Sequence, residues 1–124
     1  MRFEIINENF ILDGNKVFLN SGEIHYFRIK KDLWDTHLAA AKDAGLTSVS
    51  TYVPWAWHEP EEGVFDFTGS TLPERDLTTW VEKCKQHGLM CILKPGPFIL
   101  AEYRGAGLPD WFLEKYVPEV KMHN

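Results

Sequence analysis

The chain has 124 residues, 44% of them hydrophobic and 14% aromatic, and its 18 Asp and Glu against 13 Lys and Arg give a formal net charge of −5. This composition is typical of one acidic globular domain and excludes a disordered tail. Because the basic residues are scattered, we expect neither nucleic acid nor a membrane surface as a partner. No apolar run is long enough to span a bilayer, and Glu4 and Glu8 interrupt the start of the chain, so we expect no signal peptide and predict a cytoplasmic protein.

The cysteine and histidine spacings favour neither a disulfide framework nor a metal site. Cys84 and Cys91 fit neither a CxxC pair nor a zinc knuckle, and we interpret them as structural thiols. The pair His58-Glu59 is followed by Pro60 rather than by the spacing of an HExxH motif. We therefore expect no metal centre.

The N-terminal segment is predicted to form a short β-hairpin over residues 3–20. Apolar residues alternate on both sides of the turn signal Asp13-Gly14-Asn15, which is typical of two paired strands. We therefore divide the chain into a hairpin, residues 1–20, and a main unit, residues 21–124.

Strands and helices alternate in the first half of the main unit. Residues 21–28 predict the first strand, and Asp32 offers an N-cap to a helix that Gly45 ends. The apolar face of that helix comprises Trp34, Leu38 and Ala41. The second strand is predicted over residues 47–53, and a long aromatic loop, residues 55–68, follows it.

The second half repeats this order. Asp76 is predicted to cap a helix that ends at Gly88. Its buried face is expected to comprise Leu77, Trp80, Val81 and Cys84. Residues 89–93 are a continuous apolar run, typical of a strand buried on both faces. After another loop, Pro109 at a first helical position opens a last helix over residues 110–116, which Pro118 terminates.

The order strand, helix, strand, helix, strand predicts an α/β fold with a parallel sheet. Two architectures remain open, a doubly wound sheet and a wedge of a (β/α)8 barrel. The first strand-to-helix turn, residues 27–31, contains no glycine, which disfavours a dinucleotide-binding fold. We therefore predict a partial TIM (β/α)8 barrel of about three βα units, since a whole barrel needs about 250 residues.

Ligand sites of parallel α/β folds lie beyond the carboxyl ends of the strands. The side chains expected there are mainly aromatic and carboxylic: Tyr26, Arg28, Tyr52, Trp55, Trp57, His58, Glu59, Phe98, Glu102 and Tyr103. Flat rings with carboxylates and hydroxyls suit a neutral sugar. Each residue also has a structural interpretation: Tyr26 and Arg28 could close a buried polar network, and Glu59 could be solvated or capping. Glu102 would be poorly hydrated unless it meets Arg28, Arg104 or a ligand.

Three blocks of sequence resemble glycoside hydrolase family 35, the β-galactosidase family. They are residues 21–28, residues 51–60 with Gly63, and residues 94–103 with the segment 107–111. The similarity extends over roughly residues 19–115 and keeps the order of the blocks. It implies a (β/α)8 catalytic barrel, retaining hydrolysis of a terminal β-linked galactose, a β-galactoside substrate and no cofactor.

The resemblance also implies roles for individual residues. Tyr52, Ala101 and Glu102 match sugar-binding positions of the family, and the candidates for support are Tyr26, Arg28, Trp55, His58 and Glu59. The acid/base glutamate of the family follows an asparagine after the fourth strand, and the nucleophile follows the seventh. We therefore expect no catalytic residue within these 124 residues, and no activity from this chain alone.

Several positions depart from the family pattern, and one of them, Leu100, leaves the substrate open. Lys94 stands where arginine is usual, and Leu100 where asparagine or cysteine is common. Leu100 removes a polar contact beside the sugar, so a β-glucosaminide is the alternative substrate. A non-catalytic carbohydrate-binding module is the alternative from another functional class. Because an open three-stranded wedge exposes strand edges and an apolar face, we expect the isolated chain to aggregate or to be molten.

Overall fold

The N-terminal residues form a three-stranded antiparallel sheet in the computed structural model, which describes residues 1–117. Its strands are β1 (Phe3–Ile6), β2 (Asn9–Leu12) and β3 (Asn15–Val17). The predicted hairpin corresponds to β2 and β3, and the structure adds β1, so the expectation of only two strands was wrong. The turn before β2 has Asn7 and Glu8 at φ of 47° and 63°, the conformation of a type I′ turn. Because this turn contains no glycine, the sequence signal for it is weak.

A second sheet is parallel, with its three strands in the order in which they follow along the chain. They are β4 (Ser21–Glu23), β5 (Ser48–Val53) and β6 (Met90–Pro95). The predicted first strand was too long, because residues Tyr26–Arg28 form a 3-10 turn. Tyr26 and Phe27 are both buried, at 0% and 7% exposure. Two adjacent strand residues point to opposite faces, so a 3-10 turn serves better to bring both rings into one core.

Two helices cover one face of this sheet: α1 (Trp34–Asp43) and α3 (Leu77–Gln86). The predicted apolar face of α1 is confirmed, since Trp34, Leu38 and Ala41 are all buried. They form one core with Val49 of β5 and with Trp80 and Cys84 of α3. The predicted buried face of α3 was wrong at Val81, which is 37% exposed, while Leu77 is partly buried.

The two predicted helix caps have different outcomes. Asp76 caps α3 as predicted, because its carboxylate accepts a hydrogen bond from the backbone N–H of Thr79 at 2.9 Å. Asp32 does not cap α1. It lies within a 3-10 turn, Lys31–Leu33, that leads directly into the helix, and Leu33 occupies the cap position without a side-chain hydrogen bond.

The prediction that the third strand is buried on both faces was wrong. Ile92 and Leu93 in β6 are 37% and 40% exposed. The strand pairs only with β5 among the described residues and lies at the edge of the sheet. The apolar run therefore indicates that the side chains of β6 are suited to burial. Residues 1–117 do not fully cover them.

The loops after β5 and β6 each contain a short helix. One helical turn, α2 (Trp55–His58), begins the long aromatic segment, and α4 (Asp110–Tyr116) follows the second loop with its predicted bounds. Pro109 occupies the N-cap of α4 rather than its first helical position, and Pro118 lies outside the described residues. No helix within residues 1–117 is both long and apolar enough to cross a membrane. The fold is a mixed α/β arrangement with a parallel sheet.

Candidate functional site

The carboxyl ends of the parallel strands bring Tyr52, Lys94 and Glu23 together. Tyr52 on β5 and Lys94 on β6 are direct partners in the strand register, and the Lys94 ammonium lies 3.9 Å from the centre of the Tyr52 ring. The same ammonium pairs with the carboxylate of Glu23 on β4. A hydrogen bond from Lys94 lowers the pKa of Glu23. Tyr52 is half-buried, so its ring is partly accessible at this edge, beside the Lys94 cation.

His25 lies at the centre of this edge. Its ring stacks on Tyr52 with 5.6 Å between the centroids, and Nε2 lies 3.9 Å from the nearer carboxylate oxygen of Glu23. Burial lowers the pKa of His25, while the carboxylates of Glu23 and Glu102 act in the opposite direction. The imidazole is therefore neutral at pH 7 and able both to donate and to accept a hydrogen bond.

Ala101 and Glu102 occupy the loop after β6. Glu102 is exposed, and no Lys or Arg within residues 1–117 forms a salt bridge with it. The expectation that it would be poorly hydrated was therefore wrong. The preceding apolar residues do not bury it because Leu100 is itself 63% exposed. An unpaired carboxylate at the edge of a cleft can accept hydrogen bonds from the hydroxyls of a ligand.

Tyr26 and His58 belong to the core rather than to the open edge. The Tyr26 hydroxyl lies 2.6 Å from Nε2 of His58, and Nδ1 of His58 lies 2.5 Å from the backbone carbonyl of Asp66. Since a carbonyl only accepts, Nδ1 carries the proton and Nε2 accepts from Tyr26. Burial lowers the pKa of His58 and raises that of Tyr26. The structural interpretation of Tyr26 as part of a buried polar network therefore fits the structure.

Glu59 organises the loop after β5. It is only 6% exposed, and its carboxylate accepts hydrogen bonds from the indole N–H of Trp55 and from the backbone N–H of Gly63, the latter at 2.8 Å. Its backbone carbonyl accepts from the indole N–H of Trp111 at 3.0 Å. Trp55 packs edge-on against the same Trp111 with 5.6 Å between the centroids. Glu59 and Trp55 thus connect the loop after β5 with the loop after β6. They contribute to the site by holding these two loops together.

A cleft of about 450 Å³ opens between these two loops. Its lining includes Arg28, Trp57, Arg75, Glu102 and Tyr103. Of the three residues predicted to bind sugar, only Glu102 lines this cleft, while Tyr52 lies at the neighbouring strand edge beside His25. Among residues 1–117, no three His, Cys, Asp or Glu side chains converge as a metal ion would require.

Sequence reasoning assigned no role to Glu23 or His25 and noted Lys94 only as a substitution. All three contact one another or Tyr52 at the strand edge. His25 follows β4 in extended backbone two positions after Glu23, which gives the two side chains the same side, and this spacing was the available signal. Lys94 could be matched with Tyr52 only through the strand register, which depends on pairing between segments distant in sequence.

Comparisons with known proteins identify the family. The sequence model described as glycosyl hydrolases family 35 matches residues 9–124. Relatives include a beta-1,2-glucosyltransferase of Ignavibacterium album, 53% identical over 86% of this chain, and an exo-beta-D-glucosaminidase of Pyrococcus horikoshii, 43% identical over 88%. A beta-galactosidase of Mus musculus is 40% identical over 92% of this chain.

The chain spans only 15%, 14% and 17% of the lengths of these three relatives, respectively. The matched segment includes both loops and the whole parallel sheet. The predicted family is confirmed, and the chain belongs to glycosyl hydrolases family 35.

Proposed function

We propose that this chain forms the N-terminal part of a retaining glycosidase that releases terminal β-linked galactose. The observation that carries the proposal is the carboxyl edge of the parallel sheet, where Tyr52 stacks on His25 and the carboxylate of Glu102 lines the cleft between the two loops, within a segment that matches the family. Aromatic rings pack on the C–H faces of a sugar, and carboxylates accept bonds from its hydroxyls. The relatives named as beta-galactosidases support galactose as the sugar.

The barrel is part of the same proposal. Residues 21–124 would supply the first three strands of a (β/α)8 barrel, with the N-terminal sheet as a separate unit. Support comes from the parallel strands in chain order and from the helices that cover one face of the sheet. In such a barrel, later βα units would pack against β6 and cover its exposed residues.

The chain would bind the sugar, and the bond-breaking groups would come from other parts of the enzyme. Retaining hydrolysis needs two carboxyl groups about 5 to 5.5 Å apart, one as acid/base and one as nucleophile. The acid/base glutamate of the family follows an asparagine, and the single Asn-Glu pair in this sequence, Asn7-Glu8, lies in the turn between β1 and β2. That turn belongs to the antiparallel sheet and not to the carboxyl edge of the parallel one.

The test uses the full-length enzyme that carries this chain, with p-nitrophenyl β-galactoside as the substrate. Glu102→Gln removes the charge that accepts sugar hydroxyl bonds, and we expect kcat/KM to fall on the order of 100-fold. Tyr52→Phe should cause a smaller loss, because the ring remains. The matched control is Glu114→Gln, an exposed glutamate on α4. Unchanged kcat/KM in Glu102→Gln would refute the assigned role.

A second candidate acts on β-glucosides or β-glucosaminides. It is favoured by the relatives with 53% and 43% identity, which are named a beta-1,2-glucosyltransferase and an exo-beta-D-glucosaminidase. The absence of a polar side chain at Leu100 removes one contact that would discriminate between sugars. Comparing kcat/KM for p-nitrophenyl β-galactoside, β-glucoside and β-glucosaminide ranks the sugars. Analysis of the products by mass spectrometry separates hydrolysis from transfer to a second sugar.

A further inference from the structure

The loop that carries Ala101 and Glu102 has a strained backbone. Leu100, Ala101 and Glu102 have φ of 57°, 50° and 49°, so three consecutive residues other than glycine lie in the left-handed region. The Cβ atom disfavours this region for leucine, alanine and glutamate, whereas glycine, which has no Cβ, adopts it readily. Such conformations persist only where the surrounding structure holds them. Within the turn itself, one backbone hydrogen bond joins Tyr103 N–H to the Leu100 carbonyl at 2.8 Å.

Arg28, in the 3-10 turn that follows β4, contacts this turn after β6. Its Nη2 donates a hydrogen bond of 2.6 Å to the backbone carbonyl of Ala101, 73 residues further along the chain. The guanidinium group lies over the Phe27 ring, 5.1 Å from its centroid. Phe27 is buried and contacts the Tyr103 ring edge-on at 5.6 Å. The core aromatic Phe27 therefore positions Arg28 and also packs against the end of the strained turn.

Within residues 1–117, the positive charge of Arg28 is not paired with a carboxylate and strengthens the hydrogen bond to the Ala101 carbonyl. Within the part of the chain that the structure describes, no carboxylate lies within salt-bridge distance of Arg28. Arg104, which follows the turn, differs because it faces Asp110 at 3.5 Å. A hydrogen bond from a charged donor is stronger than one between neutral groups. One long-range contact thus secures the middle residue of the left-handed turn.

We propose that Arg28 is a positioning residue for the sugar site, because its bond to the Ala101 carbonyl holds the turn that presents Glu102. The nature of the ligand rests on the proposed function, whereas the restraint on the turn does not. Arg28 acts here through the backbone of the loop and needs no contact with the sugar. Its loss should therefore loosen the loop and weaken sugar binding together.

The experiment combines hydrogen exchange and kinetics in the full-length enzyme that carries this chain. In Arg28→Ala we expect faster amide exchange in a peptide covering residues 98–107, unchanged exchange in α3, and a loss of kcat/KM on the order of 100-fold, mostly through KM. Arg28→Lys keeps the charge and an N–H donor, so its exchange rate and its kcat/KM should lie between those of the wild type and of Arg28→Ala. Arg2→Ala, which removes an exposed arginine beside Glu4, is the matched control and should change neither measurement.

A rescue variant separates the strained turn from direct contact with the sugar. Adding Leu100→Gly to Arg28→Ala removes the conformational penalty at one position of the turn, so part of the lost kcat/KM should return. If exchange in residues 98–107 is unchanged in Arg28→Ala, or if Leu100→Gly recovers none of the activity, the proposal is wrong. Should the wild-type enzyme cleave none of the glycosides, the proposed function fails, and the exchange measurement still decides whether Arg28 holds the turn.

Discussion

Replacing Tyr26 with Phe removes one hydroxyl from the core and leaves the packing of the ring intact. In the wild-type protein this hydroxyl donates to Nε2 of His58 at 2.6 Å, and Nδ1 of the same imidazole donates to the Asp66 carbonyl. His58 is only 2% exposed, so water cannot replace the missing donor. An unsatisfied buried acceptor costs about 1–3 kcal/mol. We expect the free energy of local opening around α2 to fall by about 2 kcal/mol, which is roughly a 30-fold change in an equilibrium constant.

Hydrogen exchange mass spectrometry of the full-length enzyme measures this change. Amides in a peptide covering residues 55–68 should exchange roughly 30-fold faster in Tyr26→Phe under conditions in which exchange reports the opening equilibrium. Tyr116→Phe is the matched control, because Tyr116 is 56% exposed on α4. An increase of less than about fivefold in Tyr26→Phe would refute the reasoning, since the hydrogen bond would then contribute under about 1 kcal/mol.

Three further predictions concern pH, backbone conformation and the isolated chain. Burial lowers the pKa of His58, so the folded state binds a proton less readily than the unfolded state. The stability around α2 should therefore be full above pH 6.5 and should decrease as the pH falls below about 6.5. Hydrogen exchange in residues 55–68 measures this change. Gly107 has φ of 90°, and a Cβ there would lie 2.7 Å from Cγ1 of Ile99. Gly107→Ala should therefore cost about 3 kcal/mol, seen as faster exchange in residues 98–107, and wild-type exchange would contradict this. The isolated 124-residue chain should bind a hydrophobic dye through β6, where Ile92 and Leu93 are exposed; a monomer with a sharp cooperative thermal transition would contradict this prediction.

Local patterns in the sequence predicted most of the regular structure. The apolar spacing of α1, the Asp76 cap of α3 and the bounds of α4 are all as expected. Each depends on residues within a few positions of one another, and helix periodicity and capping operate over that range. The family was equally accessible, because its three motifs are continuous stretches of sequence.

The roles of the candidate site residues depended on contacts between distant segments. Tyr26 and His58 are 32 positions apart and form a buried pair, whereas Arg28 contacts a carbonyl 73 positions away. The register that sets Lys94 beside Tyr52 likewise joins separate strands. By itself, the sequence indicated that the carboxyl edge of the sheet carries aromatic and carboxylic groups, including Tyr52 and Glu102, but it did not identify Glu23, His25 and Lys94 there. Only the tertiary structure decided which candidate site residues are buried in the core and which line the cleft, because burial and hydrogen-bond partners are set by long-range packing.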